Sequence, residues 1–444
     1  MTRNFRKIKL DLRSGDGRPQ AARRCVNLED RMGKMDDLIF QELRSERARK
    51  AVPDGFPALA EIPGGRYTRR DFFDLEMARV FRRSWVLAGH ISELPKSGSY
   101  KVFAKLPSAP ILIVRGRDGQ VRAFYNTCRH RGAPVVKDHA GRCNVLRCQY
   151  HSWAYDFDGR LVQVPDEHEF PNLDRAARGL IPVRCELLHG LIFVNQDEAA
   201  PDLLEAVGPL AEEWGDLGLA DGQVDYRFSR RVSCNWKCGL DAFQEVYHIN
   251  TLHPQTVGAT LVHSVAAMSL LPRGHSRMCV QLKTVDIDEV PDGGWPDGEI
   301  YRRSSVAHTL WPNMVVPWGA GSGRFILFWP IGPGECEIEV MGVGPAWGEG
   351  GLPADRDLAN TRFDGVLMED IENLAAIQAS LESGAFTGMM LGYQERRLYW
   401  AHEEIDRAIG VDAVPSELRV PPVLGRFVEA PASRRPHAAT RGAA

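Results

Sequence analysis

The sequence has no apolar run approaching the ~20 residues needed to cross a bilayer, so no membrane-spanning chain is expected. It has no excess of one charge. Lys and Arg number 55 against 58 Asp and Glu, a net charge of −3, too small a field to recruit nucleic acid or an anionic membrane. The basic N-terminal stretch MTRNFRKIKLDLRSGDGRPQAARR lacks an apolar core, so it reads as a solvated arm rather than an export signal. An even disulfide framework is also missing. The nine cysteines (Cys25, Cys128, Cys143, Cys148, Cys185, Cys234, Cys238, Cys279 and Cys336) are odd in number and spread over a long chain, which points to reduced thiols in a cytoplasm. No internal repeat and no nucleotide or flavin motif is found.

What is present suits a globular enzyme of two or three structural units: 444 residues, 44% hydrophobic and 25% charged. YTRRDFFDLEMARVFRRSW (67–85) has helical periodicity with Thr68 as a candidate cap. The period then changes to two. YKVFAKL, APILIVRG, VRAFYN and HGLIFVNQD read as short strands, and RDGQ (117–120) as a hairpin turn. Residues 86–200 are therefore expected to form a small all-β unit. PDLLEAVGPLAEEW (201–214) opens a helical segment, YRFSRRVSCNW a strand running into a helix, and RFILFWPI and CEIEVMGVG further antiparallel strands. Residues 283–299 read as a long loop and the last residues as a disordered tail.

Two short stretches carry chemistry. In CRHRGAP and CQYHSW, Cys128 and His130 stand two apart, and Cys148 and His151 three apart. Zinc accepts two thiolates and two imidazoles, but usually from turns that supply two of a kind. Here each turn supplies one thiol and one imidazole, which suits a two-iron cluster with both cysteines on one metal and both histidines on the other. In the second stretch, NWKCGLDAFQEVYHINTLHP (235–254), a helix would put Asp241, Glu245 and His248 on one stripe. Pro254 disfavours helix at His253, so the helix should end there and free His253 to join His248 on one metal. FDGVLMEDIENLAAIQASLESG (363–384) is an amphipathic helix with the apolar stripe Leu367, Ile371, Leu374, Ile377 and Leu381. Asp370 lies on that stripe, whereas Glu369 and Glu372 lie off it. An inward carboxylate needs a partner or a metal, which singles out Asp370. CNWKC reads as core packing, and the remaining histidines, His402 among them, have no partner at ligand spacing.

The first stretch resembles the Rieske [2Fe–2S] motif, including the flanking RHRGAP and the later Trp153, Tyr155, Asp158 and Gly159. Ser152 replaces the family's usual glycine, on what is expected to be an exposed turn that tolerates it. The second resembles the iron site of the Rieske non-haem iron oxygenase α subunits, and the pattern of Asp370, Glu372, Asn373 and Gln378 agrees with that family's third ligand. The resemblance implies an α+β fold, with an N-terminal all-β Rieske domain followed by a helix-grip (START-like) catalytic domain whose antiparallel sheet curves around a long helix. The expected divisions are an arm at 1–44, the Rieske domain with its leading helix at 45–200, the catalytic domain at 201–430 and a tail at 431–444. The resemblance further implies a [2Fe–2S] cluster on Cys128, His130, Cys148 and His151, and mononuclear Fe(II) on His248, His253 and Asp370 with O2 as co-substrate. Glu245 matches the carboxylate that links the iron site to a Rieske histidine of a neighbouring subunit, where many members have Asp. Asp241 matches a nearby polar position. The expected activity is hydroxylation or dihydroxylation of a small aromatic substrate, with demethylation or quaternary-ammonium monooxygenation, and simple electron carriage, as alternatives. Electrons would come from a separate NAD(P)H reductase, with or without a ferredoxin, and the assembly would be a homotrimer (α3) or α3β3.

Overall fold

The computed structural model describes residues 29–106, 108–215, 217–289, 298–319, 322–348 and 350–429. Most of the N-terminal arm with Cys25, the middle of the 283–299 loop and the C-terminal tail lie outside the described residues. No helix among the described residues is long and apolar enough to cross a membrane.

The first unit is a seven-stranded antiparallel sheet in the order Val86–His90, Leu191–Asn195, Pro182–Leu188, Val121–Tyr125, Ile111–Arg115, Ser99–Phe103 and Ala140–Arg142. Its β-branched runs are buried: Ile111, Leu112, Ile113 and Val114 are all at most 1% exposed. The RDGQ turn closes the hairpin in register Arg115 to Val121, and Gly119 takes the φ of +82° that such a turn demands. A small sheet of Leu146–Arg147, Ala154–Tyr155 and Leu161–Gln163 carries the second Cys/His turn. Both Cys/His turns share one compact core with Leu112, Val114, Phe124, Trp153 and Tyr155.

The second unit is another seven-stranded antiparallel sheet. Its order is Gly222–Val232, Glu335–Pro345, Ser322–Gly332, Met314–Gly319, Ser304–Leu310, Ser276–Leu282 and Leu261–Leu270. It curls as a half-barrel, and the long helix Ala354–Glu382 packs against its edge strand Gly222–Val232 and against the short helices Gly65–Thr68 and Trp236–Ala242. The long helix buries Leu367, Asp370, Ile371, Leu374, Gln378 and Leu381. Ile377 is 41% exposed, contrary to its place on the expected stripe. Gln378 takes the inward position instead, and its amide is engaged there: it accepts from Asn235 N at 2.9 Å and donates to Glu382 at 2.7 Å.

Two expected helices are broken. Residues 67–85 form Gly65–Thr68, Arg70–Leu75 and a π-helical turn, Glu76–Phe81, separated by an extended Arg69 (φ −80°, ψ 132°). Thr68 is not the cap; its hydroxyl reaches back to Gly64 O at 3.4 Å. The break turns Arg66 and Tyr67 into the interior, where Arg66 donates to Asp406 at 2.6 Å. The π turn buries Glu76 against Lys237 Nζ at 2.7 Å. The stretch 236–253 is also discontinuous. Trp236–Ala242 and Ile249–Leu252 are helical, and residues 243–248 between them are not.

Residues 29–81 pack on the second sheet rather than the first. The N-terminal helix Glu29–Ala48 sets Ile39, Phe40 and Leu43 against Val265, Ala267 and Cys279. Ile62–Pro63 pairs antiparallel with Gly388–Met389, and Phe81 meets Trp236 edge to face at 5.0 Å. One hydrophobic core runs from the first sheet (Val86, Leu191, Ile192) through this segment into the second (Phe328, Ile338, Val340).

Candidate metal centres

In the first unit the turn after Val121–Tyr125 folds on itself: Gly132 N donates to Cys128 O at 3.0 Å and Cys128 N to Ala133 O at 2.8 Å. The second turn does the same between Cys148 and Ser152–Trp153. These paired turns bring His130 and His151 to 4.6 Å between ring centroids and bury Cys128 and Cys148 to 3% and 2% exposure. His130 stacks on Trp153 at 4.7 Å, and its Nδ1 is buried with no partner. Tyr155 OH sits 3.3 Å from Cys128 Sγ and accepts from Arg129 N at 3.0 Å. Burial raises the Cys128 thiol and holds His130 below its usual pKa. Two buried sulfurs and an orphaned ring nitrogen are what a bound metal would relieve. Each turn brings one buried thiol and one imidazole to this place, the donor set that a two-metal cluster takes.

Ser152 adopts φ +59° and is half-buried, not on an exposed turn. An L-residue in this region costs roughly 1–2 kcal/mol, offset in part by the extra chain entropy that glycine loses on folding. Ser152→Gly is therefore expected to stabilise the fold by up to about 1 kcal/mol, read as a higher melting midpoint of the loaded protein.

In the second unit, the long helix presents Asp370 to the two histidines. His253 Nε2 lies 3.0 Å and His248 Nε2 3.6 Å from the same Asp370 oxygen. One donor atom from each of the three residues falls within 4.8 Å of the others, the only such set among the described residues. His253 ends its short helix with φ −116° and ψ 42°, off the helical region as the following proline requires. Each histidine gives its other nitrogen to a carboxylate. His248 Nδ1 bonds Glu245, and His253 Nδ1 bonds Glu369 at 2.5 Å. Both Nε2 atoms are thereby turned toward Asp370, an arrangement that fixes tautomer and ring orientation for a metal.

Glu369 was not singled out by the sequence pattern, because it lies off the apolar stripe. It also accepts from Thr256 Oγ1 at 2.8 Å, and its bond to His253 holds its carboxyl below the usual range. Glu369→Ala is expected to weaken Fe(II) binding at this set by about 10–100-fold while leaving the other centre loaded. Titration of the metal-depleted protein with Fe(II) measures it.

Asp241 is not brought to the metal donors. It accepts from Tyr67 OH at 2.6 Å, and Tyr67 in turn meets His402 Nε2 at 2.8 Å. Arg66 Nε donates to His402 Nδ1 at 3.0 Å, so the proton of His402 lies on Nε2 and the chain of donors runs one way, toward Asp241. Burial pulls His402 down to about 4, so it stays neutral. Neither Tyr67 nor His402 carries a signal in the local sequence. Glu372 and Asn373 face solvent. Cys234 packs 3.6 Å from Cys336 in the core, as expected of a packing thiol.

Residues 84–175 match the Rieske [2Fe-2S] domain family, and residues 219–410 match the ring hydroxylating alpha subunit (catalytic domain) family. The chlorobenzene dioxygenase subunit alpha of Cupriavidus sp. (strain PS12) is 32% identical over 305 residues, 64% of this chain and 56% of its own length. The carnitine monooxygenase oxygenase subunit of Escherichia coli (strain K12) is 36% identical over 214 residues, 46% of this chain and 56% of its own. The chain thus spans about half the length of the curated relatives it matches. The fold is that of a quaternary ammonium Rieske monooxygenase solved with L-carnitine, at a TM-score of 0.67 and 22% identity over 81% of this chain and 99% of that one.

Proposed function

The chain belongs to the Rieske oxygenase α-subunit family, and from that premise we propose that it is a terminal oxygenase that hydroxylates or dihydroxylates a small, aromatic substrate. The observation that carries the reading is the pairing of a two-metal Cys/His pocket with a separate two-histidine, one-carboxylate set in the same chain. Cys128, His130, Cys148 and His151 would hold the [2Fe–2S] cluster, and His248, His253 and Asp370 the mononuclear Fe(II). When bound, the two groups supply single electrons and an iron face open to O2.

The residues around these groups have definable tasks. Glu245 and Glu369 keep a proton on each Nδ1, so that each Nε2 offers a lone pair inward. Asp370 places one negative charge in a site where it is 4% exposed, which strengthens its hold on a cation. Glu245 is assigned as the bridging carboxylate. An ionised carboxylate offers about four acceptor positions, so Glu245 can hold His248 and still accept from a cluster histidine of a neighbouring copy. Two exposed tyrosines support that crossing: Tyr247, 71% exposed, beside His248, and Tyr150, 57% exposed, beside His151. The assembly proposed is a homotrimer, with or without small β subunits, fed by a separate NAD(P)H reductase with or without a ferredoxin. The division into a cluster-bearing unit ending near residue 200 and an iron-bearing domain, with 45–81 packed on the latter and not, as expected, on the former, and residence in a reducing cytoplasm, belong to the same proposal. The free thiols of the eight described cysteines support the latter.

A second reading, oxidation or demethylation of a quaternary ammonium compound, is favoured by the carnitine monooxygenase match. Iron and acid-labile sulfide per chain, measured with the visible spectrum on protein purified without air, test the oxygenase class. A [2Fe–2S] cluster plus one mononuclear site gives three irons and two sulfides. Two of each, unchanged by added Fe(II), would reduce the protein to an electron carrier.

A further inference from the structure

Five arginines are buried among the described residues: Arg66, Arg277, Arg324, Arg396 and Arg397. Four have an acid in reach. Arg66 meets Asp406, Arg277 meets Glu213 and Glu429, Arg324 meets Asp225, and Arg396 meets Glu42. Arg397, 0% exposed, has no carboxylate within ion-pair distance among the described residues. Its acceptors are all neutral. Nε donates to Ser276 Oγ at 2.9 Å, Nη1 to Gln244 O at 3.2 Å and to the Met278 thioether at 3.3 Å, and Nη2 to Thr309 Oγ1 at 2.7 Å. A guanidinium has five N–H groups, so one on Nη2 is left over. Burial pulls Arg397 down to about 9, the mark of a cation with too little around it to balance its charge.

Beside it lies a second anomaly. Gln244 is 0% exposed, and both its side-chain nitrogen and oxygen lack a partner, although buried amides are almost always paired. Gln244 stands next to Glu245 and four residues before His248, in the non-helical stretch between the two short helices. Ser276 and Met278 share one face of their strand, and Met278 belongs to the central core to which the long helix contributes Leu367, Ile371 and Leu374. Arg277 and Cys279 point to the other face, where Cys279 meets the N-terminal helix. The lone cation and the unpaired amide are therefore on the side of the sheet that carries the metal donors.

We propose that Arg397 and Gln244 form the anion-binding end of the substrate site, and that the substrate carries a carboxylate. The carboxylate takes the free Nη2 hydrogen of Arg397 and the Gln244 amide N–H, and so neutralises a charge that the protein leaves unmatched. Ser276 and Thr309 hold the guanidinium plane in place for it. This deepens the oxygenase reading and rests on it, selecting aromatic acids or betaines over hydrocarbons.

The test is equilibrium binding by calorimetry to the metal-loaded full chain, with no turnover required. The probes are benzoate against benzamide, and glycine betaine against choline. At least one carboxylate is expected to bind about tenfold tighter than its counterpart, and Arg397→Met to erase that preference. Should Arg397→Met not fold, Gln244→Leu is expected to shrink the preference by about threefold. No preference in the unaltered protein, or a preference that survives both substitutions, overturns the proposal. Inorganic phosphate binding as tightly as the carboxylates would mark a general anion site and overturn the assignment to substrate. Iron content is measured on the same samples. A carboxylate preference in protein lacking the mononuclear iron would leave the anion site standing and sink the oxygenase reading, and the reverse pattern would do the opposite.

Discussion

Replacing Asp370 with alanine is expected to take the iron content from three to two per chain, leave both labile sulfides and the Rieske spectrum intact, and abolish substrate-dependent O2 uptake. Asp370 is the only carboxylate in the set of donors that gathers around His248 and His253. It faces both imidazole nitrogens from a position 4% exposed. Without it two neutral ligands remain, and the divalent cation loses its one charged partner in a poorly solvated site. The loss in Fe(II) affinity should exceed the roughly 10–100-fold typical of removing an outer carboxylate, and so exceed that of Glu369→Ala. The cluster is buffered from the change, because the residues proposed to hold it lie by a separate core with Leu112, Phe124 and Tyr155. Three irons retained in the variant would mean that the mononuclear site lies elsewhere.

Glu245→Gln is the complementary experiment. Both metal centres are expected to stay loaded while steady-state turnover falls by about 10–100-fold. Glutamine keeps the shape and can still accept from His248 Nδ1, so the iron ligand keeps its orientation. The neutral amide has fewer acceptor positions than a carboxylate, and its NH2 end would confront the N–H of a neighbouring subunit's histidine. The expected signature is a chain whose cluster is reduced normally by its partner but whose iron site receives no electron from it. Intact turnover would remove the bridging role. Loss of the mononuclear iron would instead make Glu245 a positioning residue for His248 alone.

The parts of this molecule legible in its sequence are those set by local spacing. The two Cys/His turns need only a few residues each, and alternation marked the strands on either side of them. Asp370 was legible because a charge on an apolar helical stripe must be matched by something. The polar stripe Asp241, Glu245 and His248 misled, because it presumed one helix. Glu245 accepts the backbone N–H groups of Tyr247 and His248, taking donors that a continuous helix would have used. His248 and His253 converge through that break rather than through helical geometry. Glu369 could not be found, because its partner His253 lies 116 residues away. The Tyr67–His402 contact spans 335 residues. Such long-range pairings exist only after the second sheet has closed over the segment 62–81.

That closure makes the cluster-bearing unit an insertion. The polypeptide is anchored to the half-barrel before residue 81, makes an excursion through the first sheet, and is anchored again from residue 203 onward. A truncated chain beginning at 201 would not be a smaller oxygenase domain. It would strand Lys237 without Glu76 and Asp406 without Arg66, both partnerships fully buried. Breaking a buried pair by removing one member costs about 3–5 kcal/mol, and two such losses approach the whole stability of a typical domain, about 5–15 kcal/mol. Excising the insertion and rejoining its ends near 82 and 200 should by contrast leave those pairs in place.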